Sequence, residues 1–105
     1  FIGINDYAEG ELAADSYIGN YLALINGFRE HNPGIKFLCV GFGNKFADNV
    51  QAMVTAEKNA GKTDIEYYFL PDMAVNPLGD WHPSIQGFQD GAVTVTDAIQ
   101  AFMEW

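Results

Sequence analysis

Two short apolar runs, IKFLCVGF (35–42) and DIEYYFLP (64–71), stand one helix-length apart, and this constrains the fold more than any other feature of the chain. The first is apolar at odd and even positions alike, the pattern of a strand covered on both faces. The second stops at Pro71, which has no N–H to give a ladder. Between them, residues 45–60 carry Phe46, Val50, Met53 and Val54 at helical spacing, with Gly61 placed to close the helix.

The same alternation extends in both directions. FIGI at the amino end reads as a short buried strand ending at Asn5 and Asp6. From about Asp15, the residues Ile18, Tyr21, Leu22, Ile25 and Phe28 recur at helical spacing, with Asp15 or Ser16 as N-cap and HNPG (31–34) ending the helix. In the last segment Ile85, Phe88, Ala92, Val95, Ile99 and Phe102 follow at spacings of three and four, giving one apolar stripe. Gly87 and Gly91 each weaken that helix by about 1 kcal/mol relative to Ala, so close packing or an irregular first turn is expected there.

Strands alternating with helices over short connections imply an open parallel α/β sheet with helices on both faces. Three strands make a thin version of it. An apolar first strand with one unpaired edge is an aggregation hazard. The expectation is therefore the C-terminal portion, residues 1–105, of one larger domain, cut ahead of Phe1.

Charge narrows the partners. A net charge of −9 with five basic residues, none in a run, argues against nucleic acid and anionic membrane surfaces. No apolar run approaches the roughly 20 residues that span a bilayer, and no signal-peptide pattern opens the chain. The single cysteine, Cys39, lies inside an apolar strand and reads as a small buried hydrophobe.

In open α/β sheets ligands bind outside the carboxyl ends of the strands. Three polar groups converge there: Asn5 and Asp6 after strand one, GFGN (41–44) after strand two, and GDWHPS (79–84) after strand three. His82 reads either as a general base or as a plain loop histidine. As a base it could be oriented by Asp80, beside a helix start at Pro83 and Ser84 whose positive end favours the neutral imidazole. A metal reading of Asp80 with His82 lacks third and fourth ligands. Asn5 reads as an oxyanion donor or a turn residue. Asp6 reads as a cap or brace of its loop. His31 reads as a solvated helix C-terminal cap. GFGN lacks the spacing of either nucleotide fingerprint.

Taken as an ordered pair, GIND (3–6) and DWHPS (80–84) resemble the blocks of the GDSL, or SGNH, hydrolase superfamily, whose third block is Gly-x-Asn-Asp and whose fifth sets the catalytic histidine before a proline. The pattern is most similar to carbohydrate esterase family 2, acetyl esterases acting on plant polysaccharides. The resemblance implies a partial three-layer α/β/α sandwich with a parallel sheet, flavodoxin-like, lacking its N-terminal part. It implies an acetyl- or short-acyl-esterase acting on carbohydrates without metal or organic cofactor, and secretion. His82 would be catalytic base and acid, Asn5 an oxyanion donor and Asp80 the orienting acid. Trp81, its face suited to stacking on a pyranose ring or else a plain loop anchor, and Asp6 would border the substrate. Many members of the superfamily place that acid three residues before the histidine, where this chain has Gly79.

The chain departs from the family at the nucleophile. The GDS block and the second-block glycine are absent, and the only serines are Ser16 and Ser84, neither on a strand–turn–helix elbow. A serine-bearing N-terminal half, in the same chain or as a separate one in the assembled enzyme, is therefore the expected partner. The alternative from another class is a non-catalytic carbohydrate-binding or interaction domain using Trp81, Tyr7 and the acidic edge. A free-standing flavodoxin-like fold is a third, disfavoured by the lack of a phosphate loop.

Overall fold

The computed structural model describes residues 13–43, 46–71, 73 and 82–104. The FIGI strand and the residues Asn5, Asp6, Tyr7, Asp80 and Trp81 lie outside the described residues. Within them the chain is mixed α/β. Helix α1 (Ala14–His31) leads into strand β1 (Phe37–Phe42), helix α2 (Ala47–Asn59), strand β2 (Ile65–Leu70) and helix α3 (Ile85–Met103). The strands pair in parallel, Phe37 opposite Ile65 through Phe42 opposite Leu70, as the strand–helix–strand spacing requires.

One face of the sheet holds the core. Cys39 and Ile65 are buried with Val50, Met53 and Val54 of α2, Tyr17 and Ile25 of α1, and Phe46, while Phe37 and Tyr67 pack against the cluster. These strand residues share one parity, since alternate side chains point to one face. The four α2 positions read from the sequence are all buried. Gly61 follows the helix in the left-handed conformation at φ 89°.

The helix starts differ from expectation. Neither Asp15 nor Ser16 caps α1; both lie inside it, and Ala13 occupies the N-cap without a side-chain hydrogen bond. The extra residues are rewarded by Tyr17, whose ring stacks on Phe46 at 4.5 Å between centroids and 16° between planes. Phe28, expected inside, is exposed. Phe46 sits just before α2 at φ 55°, a left-handed conformation unusual for an aromatic residue, with its ring buried in the core.

Helix α3 departs furthest from its pattern. It meets β2 through small residues rather than its apolar stripe: Gly87 and Gly91 are buried, while Ile85 and Phe88 are exposed. A Cβ on Gly91 would stand 2.6 Å from Met73 Sδ and 3.9 Å from Leu70 Cδ2, so the glycine lets the helix backbone approach closely. Leu70 has the opposite parity from Ile65 and Tyr67.

Two glycines give contrasting expectations. A Cβ on Gly41 would lie 2.9 Å from Tyr67 Cε2, against a rigid ring, so Gly41→Ala should cost about 1–3 kcal/mol. At Gly91 the obstacle is the flexible end of a methionine, and the gain in helix propensity offsets its displacement. Gly91→Ala should therefore be near neutral. Urea denaturation of both variants checks the contrast; equal losses would refute it.

Candidate functional site

Helix α3 sets the position of the one candidate site residue within the described residues, His82. Near its start Gly91 lies against Leu70 and Met73, at the carboxyl end of β2. Near its end Phe102 meets Lys36, just ahead of β1: the ammonium donates to the Phe102 carbonyl at 3.3 Å and sits 5.3 Å from the ring centroid. The helix thus runs back antiparallel to the strands. Its amino end, and His82 before it, stand at the carboxyl edge of the sheet, where open α/β sheets bind ligands.

Local chemistry fixes that helix start. Ser84 is extended at φ −66° and ψ 166°, and its Oγ accepts from the Gly87 N–H at 3.0 Å. Pro83, whose N–H is missing anyway, precedes it. The Ser84 carbonyl takes the Phe88 N–H at 2.9 Å, closing the first turn. His82 is exposed two residues before this cap. The Ser84 hydroxyl is thus occupied as an N-cap acceptor, which is a structural task. Ser16 is exposed within α1. Neither serine occupies a nucleophile elbow.

Among the described residues, the turn after β1 brings backbone to this edge. Gly43, at φ 52°, donates its N–H to the Leu70 carbonyl at 3.0 Å, extending the strand pairing past Phe42. That amide serves the sheet rather than a phosphate, in keeping with the poor match of GFGN to a nucleotide loop. Of the residues read as a converging polar site, the structure places His82 at this edge. Asn5, Asp6, Asp80 and Trp81 lie outside the described residues.

Other candidate groups have structural roles. Burial pushes the Cys39 thiol up, and the Tyr21 phenol is also pushed up chiefly by burial. Such a thiol is a poor nucleophile at neutral pH. His31 Nδ1 lies 2.8 Å from the Gly27 carbonyl in the last turn of α1, the cap position expected from sequence. Among the described residues no three His, Cys, Asp or Glu side chains group as a metal site, and no helix is long and apolar enough to cross a membrane.

Sequence reading overlooked one polar cluster. Arg29 of α1 donates through Nε and Nη2 to the two carboxylate oxygens of Asp64 at 2.7 and 2.8 Å, and through Nη1 to Glu57 of α2 at 2.7 Å and to Asn26 at 2.9 Å. Its guanidinium also lies 5.5 Å from the Phe37 ring centroid. Asp64 directly precedes β2, so this network stands at the amino edge, away from His82. Its carboxylate partners are 28 and 35 residues distant in sequence, and no local pattern announces them.

Compared with models of known protein families, with curated proteins and with solved structures, the chain matches none.

Proposed function

We propose that this chain is the base-bearing part of an SGNH-type serine esterase that removes acetyl or other short acyl groups from carbohydrates. The observation that carries the reading is His82: exposed at the carboxyl edge of a parallel sheet, two residues before the N-cap of a helix, inside DWHPS and downstream of GIND. The finer fold reading, a three-layer α/β/α sandwich of the flavodoxin-like SGNH type, belongs to the same proposal. It is supported by the parallel pair and by the opposite parity of the strand residues facing α3 and the core.

In this mechanism a serine from outside this chain attacks the ester carbonyl while His82 takes its proton. The Asn5 amide donates to the oxyanion of the tetrahedral intermediate. Collapse breaks the bond to the sugar oxygen, which receives the proton from His82 and leaves. Water then attacks the acyl-serine as His82 takes a proton, and acetate departs with the serine restored. Asp80 orients the imidazole, and Trp81 and Asp6 border the acyl and sugar groups. The residues need no metal or organic cofactor. Secretion is part of the same proposal, resting on the family resemblance.

The chain by itself should hydrolyse p-nitrophenyl acetate no faster than free imidazole at equal concentration. Enzyme-like turnover blocked by a serine reagent would contradict the assignment of the nucleophile to another segment.

A further inference from the structure

The outer rim of β2 is the part of the sheet most in need of cover. IEYYFL (65–70) holds one charge, Glu66, among apolar and aromatic residues, and no proline. A segment of that kind on an open sheet edge readily takes on further strands. Its two rims are told apart by the ladder. The Phe37 N–H donates to the Asp64 carbonyl and the Gly43 N–H to the Leu70 carbonyl. Alternate residues of a parallel strand turn their backbone groups to the same side, so Glu66, Tyr68 and Leu70 turn theirs to β1. Ile65, Tyr67 and Phe69 turn theirs outward, and among the described residues no strand pairs with them.

Glu66 lies across this rim. Its Oε1 accepts the outward Tyr67 N–H at 3.0 Å, and its Oε2 takes the Lys58 ammonium at 2.5 Å. The two side chains start from opposite faces. Lys58 belongs to α2, which packs on the face holding Ile65 and Tyr67. The Glu66 side chain leaves the strand on the other face. Their contact therefore passes over the outer rim of β2. Glu66 and Tyr67 accordingly line a cleft on each side, one with Thr55 of α2 and the other with Ala98 of α3. With side chains 45% and 40% exposed, the ion pair adds little to folding. Its effect is on what the edge can bind.

We propose that Glu66, strapped by Lys58, is an edge guard: it occupies the Tyr67 amide that an incoming strand would use, and so keeps a second IEYYFL segment from extending the sheet at β2. A strand arriving there must break a charge-assisted hydrogen bond and set its own carbonyl beside the displaced carboxylate. If the arriving strand is β2 of another copy, it also brings a second Glu66 to the same rim, where like charges repel. The guard thus acts where the segment is most prone to pair. This inference is independent of the esterase reading.

Amide hydrogen exchange and sedimentation velocity on the chain test it together. In Glu66→Thr, which keeps a strand-forming residue, the Tyr67 amide should exchange about tenfold faster than in wild type, the effect of one lost charge-assisted hydrogen bond. The amides of residues 66 and 68, which face β1, should keep their rates. The same variant should form larger species at concentrations where the wild type does not. Adding Phe69→Lys, which returns a charge to the segment at an exposed position, should restore the wild-type profile. Lys58→Ala, at an exposed helix position that the fold tolerates, loosens the strap alone and should speed Tyr67 exchange about threefold. Tyr67 exchange unchanged in Lys58→Ala and Glu66→Thr would overturn the proposal. A folded Glu66→Thr chain that sediments as the wild type would overturn it too. So would association that persists with Phe69→Lys, which would assign the contact to another surface.

Discussion

Arg29→Ala is expected to destabilise the fold by about 2–4 kcal/mol, lowering the thermal midpoint by roughly 10–20 °C for a domain of this size. One guanidinium joins α1, α2 and the entry to β2, with side-chain exposures of 14% for Arg29, 21% for Glu57 and 29% for Asp64. Its removal leaves two carboxylates close together and largely shielded without a counter-charge, and breaking one side of such a network costs more than the network contributes. Arg29→Lys should recover only a minor part, because an ammonium cannot reproduce the fork that engages both Asp64 oxygens. Thermal and urea denaturation give the magnitude; a loss below about 1 kcal/mol would show the cluster to behave as an ordinary surface ion pair.

The same network fixes the direction of a pH effect. Hydrogen bonding from Arg29 holds the Asp64 carboxyl below the usual aspartate range. A carboxyl depressed in the folded state contributes stability above its unfolded pKa, about 4, and loses that contribution as pH falls through the folded value. The gap between wild type and Arg29→Ala should thus be full near neutral pH and shrink below about pH 4. A gap that stays constant down to pH 3 would assign the effect of Arg29 to packing on Phe37 instead.

The strands β1 and β2, the α2 core positions and the parallel sense follow from local pattern, because continuous apolar runs and a short strand–helix–strand spacing leave few alternatives. What the pattern could not carry was direction around a helix axis. The α3 stripe is the most amphipathic among the described helices, yet the sheet receives the neighbouring face, because glycines at 87 and 91 permit an approach that large side chains would prevent. Tyr17 was missed because its burial depends on stacking with Phe46, which lies far away in sequence. Arg29 was missed for the same reason: residues from three elements must meet before its charge acquires partners.

At the candidate site, the helix start at Ser84 was legible because a proline and a serine announce it at short range, and the observed cap bears this out. The convergence of Asn5 with His82 was an inference from sheet topology and not from any adjacency in the chain. The amino-edge position of the Arg29 network complements it. The ion pairs that hold the fold lie at the end of the strands opposite His82, so substitutions at the carboxyl edge can alter chemistry without loosening that tie.

His82→Ala, in the assembly of this chain with its serine-bearing part, should lower kcat for an acetylated sugar by about 10⁴–10⁶-fold, since members of a catalytic triad act as a unit. Binding of the sugar should be retained, because the imidazole handles protons at the ester and Trp81 provides the ring contact in this reading. Asn5→Ala should cost about 10²–10³ in kcat, the effect of losing one oxyanion donor. His82 is exposed, so the fold should tolerate alanine there, and the Ser84 cap that starts α3 remains. Circular dichroism should be unchanged while turnover collapses. Were the esterase rate preserved and binding intact, DWHPS would be a recognition loop and the chain a carbohydrate-binding module.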